Sequence, residues 1–165
     1  MPDRYMEFLN ASVRQSAANT YTQEEVDLPV SENENLAMLI HRIDLFVDTP
    51  DIVDATWTRV AGQLTWRSEA GMIWWDDPSL IARLDEDIST GQAQGTLSEF
   101  FDHRRLGANV YIFQPAVLVA QRQIFIATDG DGCAAAMGCV ARIGYTIEKV
   151  SKEAFISSLV GYRGY

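Results

Sequence analysis

The stretch IFIATDGDGCAAAMGCVARIGYTIEKV, residues 124–150, admits two opposed folds for this chain. An apolar run reaches Asp129, and Gly130, Asp131, Gly132 and several small residues separate it from a second apolar run. In one interpretation, Gly130, Gly132 and Ala135 form G-x-G-x-x-A, the turn that binds a dinucleotide between a strand and a helix. In the other, residues 129–132 are the tip of a β-hairpin. The first interpretation predicts an enzyme and the second a β-rich scaffold.

Three features favour the hairpin. Asp129 and Asp131 would place negative charge beside the pyrophosphate, which a helix N-terminus attracts through its positive dipole. The helix would contain Gly138 and Gly144, each costing about 1 kcal/mol relative to alanine. Glu148 lies near the position of a ribose-binding acid, but the 17 residues after it are too few for further βαβ units. We therefore expect the Asp-Gly pairs to supply the positive φ angles of a tight turn between paired strands.

Recognisable catalytic and metal-binding patterns are missing from the sequence. With Asp129 as position 1 of a calcium loop, position 12 is Val140, which cannot supply the bidentate carboxylate. The two histidines, His41 and His103, have no partner at ligand spacing. No nucleophile elbow and no phosphate-binding loop motif occurs. We predict no cofactor, no metal and no enzymatic activity.

The charge balance argues against nucleic acid as a direct partner. The chain has 23 acidic residues against 13 lysines and arginines, a formal charge of −10, and Arg104-Arg105 is its largest basic cluster. No signal-peptide pattern opens the chain, and no uncharged apolar run approaches the ~20 residues of a membrane span. Cys133 and Cys139 would be too far apart to bridge within one strand. We expect soluble cytoplasmic subunits with two buried thiols, no membrane span and no direct nucleic-acid binding.

Alternating apolar and polar residues predict a chain dominated by strands. Thr56–Trp66 alternates with a period of two, and Leu36–Val47 is too apolar for a strand exposed on both sides. About seven to nine strands are expected in total. The others are predicted at Met6–Val13, Val26–Val30, Met72–Trp75, Leu97–Phe101, Val110–Phe113 and within Pro115–Thr128.

Two segments predict helices. Asp77 can cap a helix over residues 77–88 with Pro78 in its first turn, and its apolar side chains share one face: Leu80, Ile81, Leu84 and Ile88. Ser89–Thr96 is expected to be a loop. A second short helix is expected after Ser151 as cap, closing at Gly161. The fold class predicted is all-β: one antiparallel β-sandwich domain over residues 1–165, a jelly roll with one mid-chain helix and one short C-terminal helix.

The tryptophans give the most specific functional signal. Four of them fall between residues 57 and 75, and Trp74 and Trp75 are adjacent. On a strand, adjacent side chains point to opposite faces, so both are buried only if a second sheet, a ligand or another subunit covers each face. Tryptophan, tyrosine and arginine are enriched at protein interfaces. The predicted subunit interface therefore consists of Trp74, Trp75, Tyr162 and Tyr165.

In strand number, length and helix placement, the chain resembles the single jelly-roll capsid proteins of icosahedral viruses or virus-like particles. The resemblance implies a structural, self-assembling shell subunit that contacts copies of itself and other shell proteins. It also implies a place in a virion or virus-like particle. Residues 1–20 hold only Arg4 and Arg14, so the basic arm with which many coat proteins package nucleic acid is not matched. The alternative is a β-sandwich module that binds carbohydrate or another planar ligand on exposed tryptophans.

Overall fold

The computed structural model of the protein describes residues 5–51, 57–92 and 99–163, which form two antiparallel sheets and one helix. The four-stranded sheet has the order β1 (Glu7–Arg14), β9 (Gly138–Lys149), β3 (Leu36–Val47), β7 (Val110–Val119). The five-stranded sheet has the order β2 (Thr22–Asp27), β8 (Gln123–Asp131), β4 (Trp57–Thr65), β5 (Leu80–Gln92), β6 (Glu99–Gly107). The helix α1 is Lys152–Arg163. The predicted antiparallel β-sandwich is thus confirmed.

The core lies between the inner faces of the two sheets. β3 occupies the span predicted for it, and its Ile43 and Leu45 are fully buried in the main apolar cluster. β4 alternates as predicted, so that Leu64 faces this cluster while the neighbouring Gln63 points to the other side of the sheet. Across the sandwich, Ile143 of β9 completes the same cluster. Burial of these side chains supplies the main stabilisation of the sandwich.

The predicted mid-chain helix over residues 77–88 is wrong, because Leu80–Gln92 is strand β5. Leu84 and Ile88 satisfy a period of 2 as well as 3.6, and both are buried on the inner face together with Ala82. β5 pairs with β4 along one side and with β6 along the other. Pairing on both sides satisfies the backbone N–H and C=O groups of β5, and its place in the sheet buries its apolar face. The strand runs through Gln92, so the first part of the predicted loop at Ser89–Thr96 is wrong, and residues 93–96 lie outside the described residues.

The segment before β5 is a connection without regular secondary structure. Residues 66–79 join β4 to β5 through turns and bends, so the strand predicted at Met72–Trp75 is wrong. The carboxylate of Asp77 accepts a hydrogen bond from the backbone N–H of Ser79 at 2.8 Å. An aspartate two residues before the amide it binds makes a turn as readily as a helix cap. Asp77 and Pro78 therefore form a turn at the end of the connection and not the first turn of a helix.

The hairpin predicted at residues 129–132 is also wrong. β8 belongs to the five-stranded sheet and β9 to the four-stranded sheet, so residues 132–137 cross from one sheet to the other. Gly132 does take a positive φ of 69°, as expected of an Asp-Gly pair. No helix follows it among residues 133–151, so the strand–helix context that a dinucleotide site needs is missing.

The predicted C-terminal helix is confirmed. The hydroxyl of Ser151 accepts a hydrogen bond from the backbone N–H of Ala154 at 3.1 Å, as an N-cap does. Phe155 of α1 is buried against Ala37 and Ala120, so the helix covers one end of the outer face of the four-stranded sheet. The helix passes the predicted stop at Gly161 and ends at Arg163. No helix in the described chain is long and apolar enough to cross a membrane.

Candidate interaction surfaces

The connection of residues 66–79 is fixed to the outer face of the five-stranded sheet by a buried glutamine. Gln63 is fully buried, and its Oε1 accepts a hydrogen bond from the backbone N–H of Ile73 at 3.0 Å. Its Nε2 donates to the carbonyl oxygen of Gly71 at 3.1 Å. Both ends of one amide are therefore used to hold the segment that carries Trp74 and Trp75.

Arg83 of β5 is a second anchor for the same connection. Its Nε and Nη2 donate to the two carboxylate oxygens of Asp85 at 2.7 and 2.8 Å, and both side chains are almost fully buried. Nη1 of Arg83 donates to the carbonyl oxygen of Ile73. Such a bidentate pair fixes the plane of the guanidinium. The plane lies against the ring of Trp75, with the central guanidinium carbon 5.3 Å from the ring centroid.

Trp75 also packs against Gly107, the last residue of β6. A Cβ at this position would lie 2.6 Å from Cη2 of Trp75 and 2.5 Å from the carbonyl oxygen of Arg83. The φ of Gly107 is 97°, a value that L side chains rarely adopt. Glycine therefore permits the close approach of Trp75 to the sheet.

The four predicted interface residues divide into three groups. Trp74 has 79% of its surface exposed and Trp75 has 45%, and both lie in the connection instead of on a strand. Because neither lies on a strand, alternation between sheet faces does not set the directions of their side chains, and Trp75 is covered in part by its own chain. Tyr162 lies within α1, with its side chain outside what the structure describes, and Tyr165 lies outside the described residues. Their place in an interface stays a prediction.

A surface that the sequence analysis did not identify lies on the outside of the four-stranded sheet. Helix α1 covers one end of this side; at the other end, which we call the open face, large apolar side chains of the described residues are exposed. Its register places Phe8, Arg42 and Ile112 in or beside one row across the sheet. Among the described residues, the large apolar side chains exposed on the open face include Phe8, Phe46, Val110, Ile112 and Val140.

Charged groups occupy the middle of the open face. Arg142 stacks on Phe8, with its guanidinium carbon 4.0 Å from the ring centroid. Nε of Arg42 donates to Oδ1 of Asp44 at 2.6 Å, and Asp44 is buried. Arginine and aromatic side chains interleaved in this way are typical of the central part of protein interfaces.

A signal for the open face was present in the sequence. The run Leu45-Phe46-Val47 has apolar residues at successive positions, so β3 must present apolar side chains on both of its faces. One face enters the core, and α1 covers only the Ala37 end of the other. Sequence periodicity predicts that a strand needs cover on both sides, but it does not show how far that cover extends.

The two cysteines are buried and unbridged, as predicted. Burial raises the pKa of Cys139 to about 12, and the negative charge of Asp48 acts in the same direction. Burial also raises the pKa of Cys133, whose thiol donates to the carbonyl oxygen of Arg59 at 3.4 Å. Thiols in this state are protonated at neutral pH and poor nucleophiles. Among the residues that the structure describes, no three histidine, cysteine, aspartate or glutamate side chains are grouped as a metal site requires.

No protein-family model matches the chain, and a search of the curated proteins finds no match. The fold and its surfaces therefore define only a class: a β-sandwich with one sheet face partly uncovered and an anchored loop that presents Trp74.

Proposed function

We propose that the sandwich is a jelly roll. Its strands pair in nested order: β1 with β9, β2 with β8, β3 with β7, and β4 with β5. A chain paired in this way is one long antiparallel ribbon wrapped into two facing sheets, which is the jelly-roll arrangement. β6 is then an additional strand at the edge of the five-stranded sheet, beside β5. This strand order supports the assignment more directly than the number of strands does.

We propose further that the protein is a structural shell subunit, a capsid-like protein that assembles with copies of itself. Jelly rolls serve in viral capsids, in which subunits act through their mutual interfaces. The observation that carries the proposal is the open face. Exposed patches of large apolar side chains mark interaction sites, and the open face carries several such side chains around its central charged groups.

The distribution of charge favours the open face as the contact between copies. With a net charge of −10, two copies repel on average. The open face sets Arg42 and Arg142 against Asp44, so it is free of the general excess of acid. The outer side of the five-stranded sheet, in contrast, carries several acidic residues: Glu25, Asp85, Asp87, Asp102, Asp129 and Asp131. A second copy meets the least repulsion at the open face.

A closed shell needs more than one kind of contact, because a single two-fold contact ends at a dimer. The exposed Trp74, on its anchored connection, is the natural second contact. Its position on the other sheet from the open face lets one subunit engage two neighbours at once.

The test compares two arginine substitutions at exposed aliphatic residues. Ile112 on the open face is 65% exposed, and Leu106 on β6 is 57% exposed. Ile112→Arg and Leu106→Arg change the net charge by the same amount. A difference in assembly between the two variants is therefore due to where the arginine lies on the surface. The mass in solution is measured by light scattering at several salt concentrations, with negative-stain images of the same fractions.

We expect the wild-type protein to form particles or sheets of many copies. We expect Ile112→Arg to reduce them to small species, since an unpaired arginine would be buried in the contact, and Leu106→Arg to assemble like the wild type. A wild-type monomer under all conditions would overturn the proposal. Equal assembly of the two variants would show that the contact lies elsewhere.

A further inference from the structure

A shallow pocket lies on the outer side of the five-stranded sheet, where β4, β5 and β6 run side by side. It has a volume of about 160 Å³. The register places Trp57, Ser89 and Asp102 in one row, and Asp87 and Arg104 in the next. Among the residues that the structure describes, these line the pocket. Because strands carry its lining residues, their spacing is set by the sheet before any ligand arrives.

Asp87 is a polar group whose hydrogen-bonding capacity is unused. Within the described residues, its half-buried carboxylate makes no hydrogen bond and no ion pair. The register places Asp87 between Arg59 and Arg104, but Arg104 pairs with Asp102 at 2.8 Å and Arg59 lies 3.5 Å from Asp129. A partly desolvated carboxylate without a partner is unfavourable. A ligand that donates hydrogen bonds would relieve this cost.

Nε of Arg59 is a second unsatisfied group beside the pocket. The atom is buried and has no hydrogen-bond partner in the described part of the chain. Its guanidinium carbon lies 5.9 Å from the centroid of the Trp57 ring. The row that contains Arg59 and Asp87 therefore holds a donor and an acceptor that the described residues leave without a hydrogen-bond partner.

We propose that this pocket binds one ring of a neutral saccharide. The exposed indole of Trp57 offers a flat apolar surface for the C–H face of a pyranose. Sugar hydroxyls donate and accept, and the pocket provides acceptors on Asp87 and Asp102 and donors on Arg104 and Ser89.

Two other classes of ligand fit the lining less well. An acidic sugar would face two aspartates against one arginine on a chain of charge −10. An alkylammonium could stack on Trp57 and pair with Asp87, but the guanidinium of Arg104 would repel it. A neutral ring with several hydroxyls uses each of the lining residues that the structure describes.

This proposal does not depend on the shell. The pocket lies on the opposite side of the sandwich from the open face, so assembly through the open face leaves Trp57 accessible. Light scattering therefore tests the shell, and saccharide binding tests the pocket, and each can fail alone.

The experiment measures saturation-transfer NMR of D-glucose, D-galactose, D-mannose and N-acetyl-D-glucosamine, each added to the full chain. Tetramethylammonium chloride is tested in parallel. This method detects dissociation constants of about 1 mM, the range expected of one ring in a shallow site. Trp57→Ala and Asp87→Asn are compared with Trp74→Ala, which removes the exposed indole of the connection over the same side of the sandwich.

We expect at least one of the four sugars to bind, with the largest transfer to protons on one face of its ring. Trp57→Ala should abolish binding, and Asp87→Asn should weaken it by about tenfold or more, equivalent to about 1.4 kcal/mol. Trp74→Ala should bind like the wild type. Asp87→Asn retains the shape of the side chain, so it stays informative if Trp57→Ala folds poorly.

Three outcomes would overturn the proposal. The first is the absence of transfer to all four sugars, and the second is transfer that persists in Trp57→Ala. The third is binding of tetramethylammonium without any sugar, which would assign the pocket to cationic ligands.

Discussion

The guanidinium of Arg83 lies 5.3 Å from the ring centroid of Trp75 while it forms a bidentate ion pair with Asp85. The pair and the ring together close the outer side of the five-stranded sheet beneath the connection of residues 66–79. The neighbouring Trp74 takes no part in this contact and is left 79% exposed. Of two adjacent tryptophans, one therefore stabilises the fold and the other is available to a partner.

Replacing each of these tryptophans should separate the two roles. Trp75→Ala removes the stack on Arg83 and uncovers a buried ion pair, so we expect the free energy of unfolding to fall by about 2 kcal/mol. Trp74→Ala should change it by less than about 0.5 kcal/mol, as is usual for exposed residues. Urea denaturation followed by circular dichroism measures both values. Equal losses in the two variants would contradict this division.

Alanine at Gly107 should destabilise the protein more than alanine at another glycine. The new methyl group would meet Trp75 and the carbonyl of Arg83 at a φ of 97°, so we expect a loss of about 1–3 kcal/mol. Gly71→Ala is the control, because a Cβ there has no neighbour within 4 Å. That variant should match the wild type or exceed it slightly. Thermal unfolding monitored by tryptophan fluorescence compares the two, and a neutral Gly107→Ala would refute the packing argument.

Stability should decline in alkaline solution because Cys139 keeps its proton only in the folded state. Burial moves its pKa from 9.0 to about 12. The contribution of Cys139 to the free energy of unfolding is fully present below pH 9 and is lost as the pH rises towards 12. The free energy of unfolding then falls by at most about 1.4 kcal/mol per pH unit. The pKa values of Tyr21, Tyr145 and Cys133 are also raised, so they add to the same decline.

The variant Cys139→Ala shows how much of the alkaline loss of stability is due to this one thiol. Urea denaturation between pH 8 and about 10.5, within the window set by the raised pKa, gives the slope for each protein. We expect a shallower slope in the variant whatever its stability at pH 8, and an unchanged slope would show that Cys139 does not titrate in this way. The native wild-type Cys139 should also resist alkylation at pH 8, where its thiolate is scarce.

Local patterns predict the elements that carry one unambiguous local signal. β4 has a clear alternation, and α1 has a serine cap before its first turn. β3 was predicted at its observed limits because its apolar run ends at Thr49-Pro50. In each of these segments, local preference and tertiary structure agree.

Elements that satisfy two patterns at once could not be assigned from the sequence. Leu84 and Ile88 fit a helix and a strand equally well, and only the presence of β4 and β6 on either side decides for β5. The turn at Gly132 has the same local chemistry whether the chain returns along its own sheet or crosses to the other. Whether the chain turns back or crosses depends on which strands pair with β8 and β9. These partners lie far away in the sequence.

The candidate surfaces also depend on long-range structure. Trp74 was singled out as an unusual aromatic residue, but its exposure follows from the anchoring of its loop by Gln63. Predicting the pocket at Trp57 would require the register of β4, β5 and β6, and the sequence predicts a helix over much of β5. Predicting the open face would require knowing where α1 packs on the four-stranded sheet.

The outermost strands of the two sheets limit how copies of this protein can associate. β2 carries three acids in six residues, β6 carries the run Asp102–Arg105, and the edge strand β7 contains Pro115, which has no N–H to donate. Backbone pairing between copies, the route to fibrils, is therefore disfavoured at these three edges. At these edges association is left to side chains, and side-chain contacts can form and dissociate while every subunit stays folded. A particle built from this chain would thus be able to exchange subunits and correct errors as it grows.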